Sequence, residues 1–224
     1  MVEIINLNVK DVKLLHELER DARASLAEIG RKIGASKEVV NYRLKNLFSE
    51  GVIKRIGLII DNFLLDMKHY RIVLDLHNVQ EGTRDDLVRF LRGMKNVEVS
   101  VFLQSSTDLE ISLKIKNSGE FYDFYNKLLD DYGQYIKQKK LSVVTKEYFL
   151  GHRYLWGESE IKVIGRTSGA VELDNKDYEL IEELVKDCRI GILDLGKKLS
   201  LSPSSIIYKL RNLQKKKIII GHNL

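Results

Sequence analysis

Lys37, Asn41 and Lys45 stand four residues apart, so a helix carrying them would hold all three on one side. Lysine donates to guanine O6 and N7, and asparagine pairs both ends of its amide with adenine, so such a stripe suits the base edges of a DNA major groove. Tyr42 joins the same polar face. Around it Arg31, Lys32, Arg43, Lys54 and Arg55 supply cations suited to phosphate oxygens. Near the other end of the chain Ser204, Tyr208 and Arg211 form a comparable face, with Lys197, Lys198 and Lys209 as phosphate partners. This is recognition chemistry rather than bond-making. The five histidines (His16, His69, His77, His152, His222) lack metal-ligand spacing, and no glycine-rich phosphate loop or Cys/His nucleophile arrangement occurs. The pairs Asp85-Asp86 and Asp130-Asp131 read as solvated helix surface. No catalytic residue, metal or cofactor is expected.

The elements behind these faces are read from an internal repeat. A shift of 166 positions lays Leu7 on Leu173 and Ile53 on Ile219 without a gap, and about a third of the aligned positions are identical. The identities include Lys10/Lys176, Asp11/Asp177, Leu14/Leu180, Leu18/Leu184, Asp21/Asp187, Gly30/Gly196, Ser36/Ser202, Tyr42/Tyr208 and Asn46/Asn212. In the first copy a helix opens at Asp11 and buries Leu14, Leu15 and Leu18. A short second helix follows on Leu26, Ile29 and Ile33, with Gly30 letting another helix approach closely. Ser36 is suited to cap a third helix that buries Val40, Leu44 and Leu47. The second copy repeats the plan, with Ser202 as cap and Pro203 in the first turn. Short helix, tight turn and second amphipathic helix make a helix-turn-helix. VIKRIGLII, turning near Gly57, reads as a two-stranded wing after the first copy. The second copy reaches only Ile218–Leu224, a wing half built, whose strand either lacks a partner or pairs elsewhere, for example with 160–165.

Charge follows the same division. Residues 1–60 hold 11 Lys/Arg against 8 Asp/Glu and residues 173–224 hold 10 against 7, while 61–172 hold 16 against 17. Basic ends around a neutral centre point to a polyanion, double-stranded DNA, docking at the ends. With 44% hydrophobic and 31% charged residues the chain has a globular composition. No apolar run is long enough to span a bilayer and no signal-peptide layout opens the chain, so a cytoplasmic protein without membrane contact is expected. The lone Cys188, in a helical pattern, excludes an internal disulfide and reads as buried packing.

The middle alternates strand and helix signals in the order βαββαβ: MKHYRIVLDL, TRDDLVRFLRGM, VEVSVFL, LEISLKIK, SGEFYDFYNKLLDDYG and IKQKKLSVVTKEYFL. That order is the ferredoxin-like arrangement. Val97, Val99 and Val101 are expected to pack on Leu87, Phe90 and Leu91. The whole is an α+β chain: a winged helix-turn-helix over 1–62, a ferredoxin-like regulatory or dimerisation domain over 63–156, a linker over 157–172, and a second helix-turn-helix with an incomplete wing over 173–224.

The aspartate of the first helix (Asp11, Asp177), the Asp-x-Arg closing it (Asp21-Ala22-Arg23, Asp187-Cys188-Arg189) and the serine-led third helix ending in Gly51-Val52-Ile53 resemble the leucine-responsive/asparagine regulators, the Lrp/AsnC family. The second helix-turn-helix resembles archaeal relatives in which the two domains recur in tandem, as if such a chain were cut short. The resemblance implies sequence-specific transcriptional regulation by homodimers or higher oligomers, with an amino-acid effector in some members. The family's effector turn places a glycine and an aspartate between the second and third strands. Here Gln104, Ser105, Ser106 and Asp108 occupy it, with Asp108 matching the aspartate and Ser105 replacing the glycine, at a steric cost if that site needs positive φ. Sensing of a small molecule and a purely structural dimer domain both remain open. The alternatives are a non-specific architectural DNA binder and an enzyme like the siroheme decarboxylases, which resemble this family in architecture.

Overall fold

The computed structural model describes residues 6–157, 159–165 and 169–224. Helix α1 (Val9–Arg20) starts at an Asn8 cap, whose side chain accepts from the Lys10 and Asp11 amides while the Asp11 carboxylate accepts from the Asn8 amide. Asp11 is thus the third residue of a capping box rather than the helix opener expected. Ser25 and Glu28 make the same box for α2 (Leu26–Ile33), and Ser36 caps α3 (Lys37–Ser49). A Cβ on Gly30 would lie 2.5 Å from the Ala35 carbonyl, so glycine is needed there for the turn to fold back, not for a neighbouring helix to approach. Leu14, Leu18, Ile29, Val40 and Leu47 close the core of this copy.

The expected wing hairpin does not form within the first copy. Ile53 and Ile56 are drawn into the core, which leaves Gly57–Ile60 (β1) as its single strand. The central sheet comprises β2 (Lys68–Leu76), β3 (Val97–Phe102), β4 (Leu109–Ile115) and β5 (Ile136–Val144) in the order β3-β4-β2-β5, all antiparallel, with α4 (Glu81–Gly93) and α5 (Ser118–Tyr132) on one face. Ile72, Leu74, Ile111 and Leu113 meet Leu87, Leu91, Phe124 and Leu128 there.

A bulge between Val97 and Val99 reverses the alternation of β3. Val97 packs toward the helices as expected, but Val99 and Val101 turn to the open face, where they are 49% and 41% exposed. On that face His69 and Lys114 converge on Glu147, whose Oε1 accepts from His69 Nδ1 at 2.7 Å and from Lys114 Nζ at 2.8 Å. Burial raises the Glu147 pKa, but these hydrogen bonds and the Lys114 charge outweigh it and hold the carboxyl at about 2.

The remaining elements are β6 (Lys146–Phe149), α6 (Arg153–Trp156), β7 (Lys162–Gly165), α7 (Asn175–Lys186), α8 (Ile192–Leu199), α9 (Pro203–Lys215) and β8 (Ile219–Asn223). Strands β6 and β7 pair, and Asp174 and Ser202 cap α7 and α9. β8 finds a partner after all: it runs antiparallel to β1, with Leu58 opposite His222 and Ile59 opposite Gly221, not to the 160–165 segment. By the repeat β8 is the first wing strand of copy two and β1 the second wing strand of copy one, so the two copies share one two-stranded sheet.

The chain divides into two compact units, one of Met1–Asp61, Tyr148–Val163 and Glu172–Leu224, the other of Asn62–Glu147 and Ile164–Val171. Tyr148–Val163 thus belongs with the helix-turn-helix copies, whereas the sequence places the domain boundary at 156 and a linker beyond it. The reason is Glu19, 4% exposed, whose carboxylate needs partners. It accepts from the His152 amide and from Ser159 Oγ, and lies 2.7 Å from His152 Nδ1. Of the expected linker, residues 158 and 166–168 lie outside the described residues. No described helix is long and apolar enough to cross a membrane.

Candidate nucleic-acid interface

With Val40, Leu44 and Leu47 turned inward, α3 leaves Lys37, Asn41, Tyr42 and Lys45 on its outer face, all exposed. The Ser36 cap fixes where that helix starts, and so which residues make up its first turn. In α9 Ile206 and Leu213 are buried and Ser204, Tyr208 and Arg211 are exposed. Tyr42 and Tyr208, equivalent in the repeat, are 66% and 71% exposed, unusual for so large a ring without a partner. Arg31, Lys54 and Lys197 are exposed beside these faces.

Other cations expected at phosphates are engaged inside the fold. Arg43 Nη1 donates to Asp11 at 2.8 Å, and its counterpart Lys209 donates to Asp174 and Asp177 at 2.6 and 2.9 Å. Each ties the third helix of its copy to the start of the first, which removes both from the free phosphate set. A signal lay in the repeat: positions 11 and 177 keep aspartate while 43 and 209 keep a cation. Lys32 and Lys198 pair with Glu17 and Glu183 but remain 46% and 54% exposed, so a phosphate could compete for them. Arg55 donates to the Val185 carbonyl at 2.7 Å.

The sequence reading missed the seam between the copies. Arg23 donates to the carbonyls of Cys188 at 2.6 Å and Ile190 at 3.0 Å. Arg189 donates to those of Ala22 and Ala24, the positions equivalent by the repeat. Burial lowers the pKa of both guanidinium groups, against the opposing pull of the Cys188, Asp21 and Asp187 charges. Ala22 and Cys188 are fully buried between them, and the Ala22 amide donates to His222 Nδ1 at 3.3 Å. Lys162 completes the seam by donating to the Glu19 and His222 carbonyls.

In the other unit Gln104, Ser105 and Ser106 form an exposed turn. Ser105 Oγ donates to the Thr107 carbonyl and its φ is not positive, so serine fits without the strain a glycine would have avoided. The Asp108 carboxylate accepts from the Leu76 amide at 2.7 Å and anchors this turn to β2.

Comparison with known proteins agrees with this architecture. Residues 7–47 and 173–214 each match the AsnC-type helix-turn-helix domain. PH1055, an HTH-type transcriptional regulator of Pyrococcus horikoshii, is 28% identical over 179 residues, which cover 79% of this chain and 97% of the relative. LrpB, an HTH-type transcriptional regulator of Bacillus subtilis, is 28% identical over 141 residues, 62% of this chain and 91% of its own. The solved structure of the siroheme decarboxylase NirDL superposes with a TM-score of 0.63 over 96% of this chain and 64% of that one, at 13% identity, a likeness of fold alone. The same AsnC-type helix-turn-helix domain is thus matched at both ends of the chain, and the chain is similar to helix-turn-helix transcriptional regulators along most of their length.

Proposed function

We propose that this chain is a sequence-specific DNA-binding transcriptional regulator that acts as a homodimer or higher oligomer. One observation carries the reading: both copies hold a serine-capped third helix whose inner face is core and whose outer face is exposed and largely polar. Lys37, Asn41 and Lys45 are assigned to base edges in copy one, and Ser204, Tyr208 and Arg211 in copy two. Arg31, Lys32, Lys54, Lys197 and Lys198 are assigned to phosphates. Self-association is assigned to the open face of the four-stranded sheet, where Val99 and Val101 stand exposed among charged neighbours. The Gln104–Asp108 turn is the place at which a small-molecule effector would act on that domain.

Selection from a randomised duplex pool at several salt concentrations tests this. A specific regulator enriches a defined site, because base contacts add about 1 to 3 kcal/mol each to the phosphate attraction. Binding that falls steeply with salt and enriches nothing would make the protein an architectural DNA binder instead.

A further inference from the structure

Contacts that run both ways between equivalent residues define a local two-fold axis. The seam is of this kind: Arg23 holds the carbonyls of Cys188 and Ile190, and Arg189 holds those of Ala22 and Ala24. The shared two-stranded sheet of β1 and β8 fastens the same two copies together. The axis therefore relates α3 to α9, the two helices with exposed polar faces. An inverted-repeat operator has matching symmetry, and a protein two-fold and an operator palindrome go together.

We infer that a single chain presents α3 and α9 to the two halves of one operator, and that these halves differ in sequence. The inference rests on the DNA-binding reading above. The difference in sequence follows from the residues at equivalent positions: Lys37, Asn41 and Lys45 in α3 correspond to Pro203, Ile207 and Arg211 in α9. Asn41 suits adenine, whereas the exposed Ile207 suits the methyl group of thymine; Arg211 offers guanine a two-pronged donor where Lys45 offers one charge. Tyr42 and Tyr208 are the same in both halves. Unlike halves give the operator a direction, so the bound chain has one orientation on the DNA.

Selection from the randomised pool with the full chain and two variants tests this, the variants being Asn41→Ala/Lys45→Ala and Ile207→Ala/Arg211→Ala. All four side chains are exposed, and an unchanged unfolding midpoint confirms that each variant is folded. The wild type is expected to enrich an imperfect inverted repeat. Each variant should lose base preference in one half only, the two losing opposite halves, and should bind the wild-type site on the order of tenfold more weakly. If the α9 variant selects the wild-type motif unchanged, or if each variant degrades both halves alike, the single-chain reading is overturned while DNA recognition stands. A wild type that enriches nothing overturns both.

Discussion

Asp11 and Asp177 each do two things: the carboxylate closes a capping box at the start of the first helix and receives a cation from the third. A single side chain thereby sets the angle at which the outward face of that third helix is carried. His222 has a comparable position in the seam, 5% exposed, with Nδ1 accepting from Ala22. Burial pushes its pKa down to about 4; Asp21 opposes this, and the positive charges of Lys162, Arg23 and Arg189 add to it. The unfolded chain takes up this proton near pH 6.5 and the folded one near 4, so the stability from neutral His222 is complete above pH 6.5 and is lost as the pH falls toward 4. Urea unfolding between pH 7 and pH 4 is expected to show a loss of about 3 kcal/mol that a His222→Gln variant lacks. Equal pH profiles for the two proteins would place His222 outside the seam. Glu147, whose depressed pKa costs stability as the pH falls below about 4.5, touches only the acid end of this window and does so equally in both proteins.

At the level of elements, the two copies solve the same turns with different residues. The turn before the third helix is left-handed at Gly34 (φ 68°) and at its counterpart Ser200 (φ 55°). The turn after that helix is left-handed at Gly51 (φ 72°) and at Lys217 (φ 57°). A side chain in that region costs about 1 to 2 kcal/mol, of which glycine returns roughly half through its greater freedom in the unfolded chain. Ser200→Gly and Lys217→Gly should therefore each stabilise by about 0.5 to 1 kcal/mol, read as a raised urea midpoint at unchanged slope. The repeat, the serine caps and the βαββαβ order were legible in the sequence because each is written within a few neighbouring residues. The seam was not, since the acceptors of Arg23 and Arg189 are backbone carbonyls, which carry no sequence sign. Nor was the bulge: Val97, Val99 and Val101 read as clean alternation, and one extra residue in the pairing turns the last two outward. The wing failed for a third reason, that its two strands lie in different copies.

For the whole molecule, the seam would change what self-association is for. In a regulator with one helix-turn-helix per chain, dimerisation assembles the operator-reading unit. Here the two copies are already joined within the chain; if that chain reads both halves of one operator, pairing through the open sheet face would join two reading units and connect two operators on one DNA. Val99→Lys/Val101→Lys puts charge on that face at positions already 49% and 41% exposed, which spares the core and opposes association. Light scattering should show the variant as a monomer. Its affinity for a duplex with one operator should match that of the wild type, because no reading helix is lost. On a duplex with two operators at a span the dimer bridges, the wild type gains the effective concentration of a tethered second site, about 10² to 10⁴ in avidity, and the variant should lose that gain. If single-operator affinity collapses together with the dimer, the reading unit is assembled between chains and the seam is only a structural joint.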